Sequence, residues 1–438
     1  MDATQLMAGV AETELRPPIG LAIADGAPWA TGYARPLACK ALVLANGADA
    51  VALVTLDALG IDLGDARRAA ALVEARTGVP AAGVAIMCSH THAAPSMLPT
   101  LHNYRRAFNP GFDDAAAARE RDWVAEVVET IVETVARANA GLQEASIGRE
   151  SLALPWLVFN RRRHTRDFGV WTHWMGIPPD QAFQPEGPID PECGLLMIRG
   201  ADHTPLCLLW NMSAHNSFSF SDQYSGDLTH TVQAALDERL GEHIPCLYAA
   251  GCSGDTNFFD FNRPGGLEKA TEGVASAIVA TFREVCTQPD ARIGSRKEEM
   301  CFAQRDFSRE WWKDDIAQKF PDYNELAPRE VERFRREAEE SPTYNTDVTA
   351  FRIGDIAFVT FSGEMFVELG LLLKARSPFP HTFVATYAND YAGYVTTRDA
   401  YAGGSYETWP VLNARIGREG GYAMVDKAVA LLEALRQA

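Results

Sequence analysis

The sequence has no Cys-x-x-Cys pair, no apolar run long enough to cross a bilayer, and fewer basic than acidic residues. Each shortage excludes something. Eight cysteines scattered through 438 residues form neither a disulfide framework nor a thiolate metal knot. Cys88, Cys207 and Cys246 stand inside apolar runs and read as small buried hydrophobes. With 40 Lys and Arg against 58 Asp and Glu, the formal charge is −18. That balance sets no nucleic acid and no stable membrane association as the expectation. The opening residues lack a basic stretch followed by an apolar one, so no secretory signal is read and the cytoplasm is the expected compartment. Gly251-Cys252-Ser253-Gly254-Asp255 lacks the Gly-Lys-[Ser/Thr] ending of a phosphate loop, which removes nucleotide binding through it.

What is present is a globular composition, 47% hydrophobic and 22% charged, with material for a large core. Apolar β-rich runs alternate with polar loops and amphipathic helices. Strands are expected at 50–57, 83–88, 205–212, 245–250, 347–353, 355–361 and 382–388. Helices are expected at 65–77, 122–140, 228–240, 267–285, 364–376 and 422–436. The pair 347–353 and 355–361 reads as a hairpin around Gly354-Asp355. This alternation predicts an α/β fold, a mixed β-sheet core flanked by helices, in one large domain over 1–438. Residues 309–345 are charge-dense and helical in propensity, and read as a helical excursion, a solvated pair in preference to a lid.

Ligands of such folds lie beyond the C-terminal strand ends, and that is where the polar residues collect. Strand 83–88 runs into Ser89-His90-Thr91-His92, strand 205–212 into His215, strand 245–250 into Asp255, strand 355–361 into Glu364 and strand 382–388 towards Tyr394. Taken singly these are weak signals: a histidine packs in cores, a carboxylate suits a helix start, a tyrosine packs with its hydroxyl satisfied. Two histidines from different strands plus a carboxylate are, together, the ligand set of a hydrolytic Zn²⁺ site that keeps one position for water. Arg161-Arg162-Arg163-His164-Thr165-Arg166 is unusual in so acidic a chain. It reads either as exposed charge or as an anion-recognition loop in which Arg161 clamps a carboxylate or phosphate. Trp171, His173 and Trp174 are candidates for a pocket wall beside it.

Ser89-His90-Thr91-His92 and Asn389-Asp390-Tyr391-Ala392-Gly393-Tyr394-Val395-Thr396-Thr397 closely resemble two motifs of the neutral/alkaline ceramidase family. Weaker resemblances are Thr13-Glu14-Leu15-Arg16-Pro17-Pro18-Ile19-Gly20, Asn160-Arg161, Asp190-Pro191 and Gly363-Glu364, so the likeness runs along most of the chain. The resemblance implies zinc held by His90, His215, Glu364 and Tyr394, with His92 beside the reacting centre as proton carrier. Two departures shape the expectation. The family has Gly-Asp-Val-Ser-Pro-Asn, its serine being implicated as nucleophile, where this chain has Gly254-Asp255-Thr256-Asn257-Phe258-Phe259. Asn257 therefore stands in the serine's place. Attack by metal-activated water is then the simplest route, with Asn257 donating to a developing oxyanion and Asp255 orienting a histidine or the loop backbone. The chain also ends soon after its last helix, leaving no room for the family's following β-sandwich domain.

The expected activity is zinc-dependent hydrolysis of an amide or related carboxyl derivative of a soluble small molecule, with an anionic substrate favoured by Arg161, in preference to ceramide. An ester, lactone or glycan-derived linkage is the enzymatic alternative, and a catalytically silent metal-containing binding protein the non-enzymatic one. A homo-oligomer is compatible with every feature above.

Overall fold

The computed structural model describes residues 5–437 apart from 25–28, 48, 110, 168, 178–179, 309–310 and 412–413. A nine-stranded mixed sheet runs in the order Cys246–Ala250, Pro205–Met212, Glu192–Gly200, Gln143–Ala153, Met7–Leu15, Leu37–Ala45, Ala50–Leu56, Val84–Cys88. Thr287–Gln288 is its ninth strand, beside Gln143–Ala153. The two outermost pairs, Pro205–Met212 with Cys246–Ala250 and Ala50–Leu56 with Val84–Cys88, are parallel. A second sheet has the order Ile293–Ala303, Thr343–Ile353, Ile356–Thr360, His381–Ala385, its last pair parallel.

Alternation along each strand sorts side chains between layers. Ala52, Val54 and Leu56 face the helices Leu63–Thr77 and Asp114–Ala140, while Val51 and Leu53 meet Phe351, Phe358 and Phe383 of the second sheet. Val348, Ala350, Ala357 and Val359 point the other way, onto helices Val367–Arg376 and Gly420–Gln437. The order is thus helix, sheet, sheet, helix. The expected mixed sheet with flanking helices is present, but one of its faces is covered by a smaller sheet. The reason is in the sequence: strands apolar on both faces need a partner on each side.

Two helices start on aspartates that accept backbone N–H groups, Asp62 from Gly64 and Asp113 from Ala116 at 2.9 Å each. The helix expected at 364–376 begins at Val367, and Glu364–Met365 is instead a short strand parallel to Tyr394–Val395. Backbone pairing with the Tyr394 segment there competes successfully with helix formation.

The first two residues of the 309–345 excursion lie outside the described residues. Trp311–Lys319 and Leu326–Glu340 are helices as expected, but they are not a solvated pair. Trp312, Ile316, Leu326 and Phe334 are buried in a cluster with Tyr394, Tyr406 and Trp409. Asp315 locks that contact, accepting from Ser405 N at 2.8 Å and Trp409 Nε1 at 2.7 Å. Among the described residues no helix is long and apolar enough to cross a membrane.

Candidate functional site

Five strand ends build the site. Val84–Cys88 is an edge strand of the larger sheet, and the loop after His381–Ala385 completes it: Cys88 N donates to Tyr387 O, and Asn389 N to Ile86 O. His90 follows in the left-handed region at φ 57°, uncommon for a residue with a Cβ. Its ring stacks on Tyr387, centroids 3.8 Å apart. Glu364 and Tyr394 are opposite each other in their two-residue parallel ladder, which sets their side chains next to one another. Gly363, before Glu364, has φ 74°, and a Cβ there would lie 2.4 Å from Gly393 O. A Cβ on Gly254 would likewise lie 2.4 Å from Glu364 O. Only glycine lets these three segments close on one another.

His90 Nδ1 is 2.8 Å from Leu59 O, and His215 Nδ1 is 2.6 Å from Ser253 O. A carbonyl only accepts, so each ring carries its proton on Nδ1 and turns an Nε2 lone pair inward. Burial lowers both histidines, with the Arg161 charge assisting at His215, which is pushed down to about 3. Both are therefore neutral. The two Nε2 atoms are 3.2 Å apart, and Glu364 Oε2 is 3.5 Å from that of His90 and 3.2 Å from that of His215. Among the described residues no hydrogen bond reaches Glu364 Oε2. Three inward-facing lone pairs at these distances repel one another unless a cation lies between them. Tetrahedral zinc with ligand bonds of about 2.0–2.1 Å spaces its ligands about 3.3 Å apart, so this donor set fits Zn²⁺. Tyr391, whose role the sequence does not disclose, donates to the other oxygen, Glu364 Oε1, at 2.5 Å.

His92 is half-buried, its ring 4.9 Å from that of His90 and 5.8 Å from that of His215. The candidate donor atoms of His90, His92 and His215 all lie within 4.8 Å of one another. Tyr394 OH accepts from Arg161 Nη2 at 2.9 Å. Asn257 Oδ1 faces Arg161 Nη1 at 3.3 Å, which turns the Asn257 amide NH₂ away from the arginine. Arg161 is buried and committed: its Nε donates to Glu407 Oε1 at 2.9 Å. Glu407 also holds Arg162, through Nη1 at 2.5 Å, and Thr172. The arginine expected to clamp a substrate anion thus spends most of its fork on protein groups. Glu407 is absent from the sequence expectations, and its only signal is a lone acid in an aromatic stretch, Tyr406-Glu407-Thr408-Trp409.

Asp255 reaches no histidine. It accepts from Val367 N at 2.8 Å and Asn160 Nδ2 at 2.7 Å, joining the Gly254 loop to the helix after Glu364 and to the strand before Arg161. Burial pushes its carboxyl up to about 7. Arg161 N donates to Asp255 O, so this loop also fixes the arginine's backbone.

A cavity of about 450 Å³ opens over these groups, with His92, Arg161, His215, Asn257 and Tyr394 at its floor. His90 and Glu364 lie behind that floor, each 1% exposed. The walls are aromatic: Tyr104, Phe108, Trp174, Tyr406 and, from the helical excursion, Phe320 and Tyr323. Trp174 belongs to this wall as the sequence suggests, whereas Trp171 is buried beside it and His173 is outside the lining.

This architecture matches that of neutral ceramidase from Pseudomonas aeruginosa at a TM-score of 0.71, over 100% of this chain and 75% of that one, with 17% identity. The chain has the neutral ceramidase fold. A structure described as ceramidase complexed with C2 superposes at 0.70 over 99% of this chain and 76% of that one, also at 17% identity. No protein-family model and no curated protein matches the sequence. The likeness to those structures is one of fold, at low sequence identity.

Proposed function

We propose that the protein is a zinc-dependent hydrolase of an amide or related carboxyl derivative of a compact small molecule. The observation that carries this is the convergence of His90 Nε2, His215 Nε2 and Glu364 Oε2, 3.2–3.5 Å apart, behind the floor of an aromatic-walled cavity. In this reading these three residues would hold the ion with Tyr394 as fourth ligand, favoured by the Arg161 charge at its hydroxyl, and water would add to them as a fifth. Zinc supplies Lewis acidity for a carboxyl oxygen and acidifies water towards neutral pH.

The protein's own groups supply the remainder. His92 is at the cavity floor beside both histidines, placed to take a proton from the attacking water and return it to the leaving group. The Asn257 amide NH₂, turned from Arg161, donates to charge developing on the carbonyl oxygen. Asp255 and Glu407 hold the loops and guanidinium that place these groups. The aromatic walls exclude water and receive an apolar or ring-bearing substrate body.

The test is metal analysis of the purified protein, followed by amide, ester and lactone panels with and without a chelator. Amide turnover that is lost on chelation and restored by Zn²⁺ supports the reading. Full activity in metal-free protein overturns it.

A further inference from the structure

At the opposite ends of the strands that lead to Glu364 and Tyr394 lies a second, open groove of about 800 Å³. Four arginines reach it from four different elements. Arg149 comes from the strand Gln143–Ala153, Arg292 from the residue before Ile293–Ala303, Arg352 from the end of Thr343–Ile353, and Arg436 from the last turn of the C-terminal helix.

Arg352 is half-buried and rigidly held, donating from Nε to Gly354 O at 3.1 Å and from Nη1 to Leu435 O at 3.0 Å. Gly354 N in turn donates to Arg292 O, which fixes the hairpin tip beside the arginine backbone. The guanidinium groups of Arg352 and Arg436 both lie against the Phe379 ring, at 5.9 and 5.8 Å from its centroid. Burial and the charges of Arg292 and Arg436 together lower the Arg352 pKa, the mark of like charges brought close. Glu150, Asp290 and Asp355 also line the groove. Yet among the described residues no carboxylate lies within ion-pair distance of any of the four arginines. On a chain of net charge −18, four guanidinium groups thus gather around one concavity with none of its three carboxylates close enough to pair with them, an arrangement that favours a bound anion.

We propose that this groove is a binding site for a small phosphate-bearing anion, separate from the metal centre. Guanidinium forks match phosphate oxygens, and groups approaching from four elements suit a tetrahedral or multiply charged anion better than a planar carboxylate. Phe379 adds an apolar floor. A nucleic acid is disfavoured by the overall negative charge.

The test is calorimetric titration of the full-length, metal-loaded protein with pyrophosphate, orthophosphate and acetate at matched ionic strength. Pyrophosphate should bind saturably with one site, orthophosphate more weakly and acetate weakest. The double variant R292E/R436E changes two exposed residues and should lose at least about tenfold in pyrophosphate affinity while keeping its circular dichroism. Should that variant fail to fold, R436Q alone is expected to lose a measurable part of the affinity. The proposal is overturned by no saturable binding up to about 10 mM, by acetate binding as tightly as pyrophosphate, or by affinity that survives the substitutions.

Discussion

Glu407 Oε1 accepts a hydrogen bond from Arg161 Nε at 2.9 Å and thereby aims the far end of the guanidinium into the cavity. The same carboxylate neutralises Arg162, so one buried acid serves two buried bases. Removing it leaves the Arg161 guanidinium without a carboxylate partner in the interior, while Arg162 keeps only its pair with Glu186. Glu407→Ala should destabilise the protein by about 3–5 kcal/mol, the usual effect of breaking a buried pair from one side. Urea unfolding measures this, and a change below about 0.5 kcal/mol would show the network to be energetically idle.

Metal content separates the two ligand sets that share His90 and His215. If Glu364 completes the set, His90→Ala and His215→Ala lose both zinc and turnover. His92→Ala keeps its zinc and loses about 10²–10⁴ in kcat, as for a missing proton carrier. Inductively coupled plasma analysis of the three variants decides. Loss of zinc from His92→Ala would place that histidine in the ligand set and remove it as the acid and base.

Asn257 offers a cleaner test of transition-state binding. Asn257→Ala should lower kcat by about 10²–10³ and leave KM nearly unchanged, because the donated hydrogen bond matters only once charge develops on oxygen. Steady-state kinetics on whichever amide the panel identifies would show it, and a rise in KM at constant kcat would instead make Asn257 a ground-state contact.

Asp255 makes stability depend on pH. Its folded pKa is raised from 3.8 to about 7, so the unfolded state gives up its proton first. The stability it contributes is full below about pH 4 and is lost as pH rises through about 7, with a slope of up to about 1.4 kcal/mol per unit. Asp255→Asn should flatten that slope, whatever it does to stability at a single pH. Urea midpoints at several pH values give the comparison, and parallel slopes for the two proteins would refute the assignment.

The excursion wall can be probed without touching the metal. Phe320 is half-buried and lines the cavity. Phe320→Ala should raise KM by about tenfold while zinc content stays at the wild-type level, in keeping with the loss of one aromatic contact to the substrate. An unchanged KM would mean that the substrate does not reach this wall.

Much of this was legible in the chain because local rules and tertiary demands agree. The strands 83–88, 205–212 and 245–250 end where periodicity and polar punctuation place their ends, and His90 and His215 follow the first two within three residues. The second sheet was not read as separate, since an apolar strand looks the same whether helices or another sheet cover it. The strand at Glu364 depends on a hydrogen bond to Gly393, 29 residues on, which no local pattern records. Glu407 and the excursion wall escaped for a similar reason. Their significance comes from what lies across the cavity, and their own neighbours in sequence say little about it.

His90 and His215 follow strands of the nine-stranded sheet, whereas Glu364 and Tyr394 follow strands of the four-stranded one. An ion shared by these residues would cross-link the two sheets at one edge of their common core. Its binding free energy would then include the work of keeping the sheets in register. Chelation should accordingly loosen amide exchange protection along the seam of Leu53, Phe351 and Phe358, none of them a ligand, and not only around the cavity. Catalysis and the alignment of the core would draw on a single coordination sphere, so a substitution that lets the sheets slip could cost metal affinity without touching a ligand.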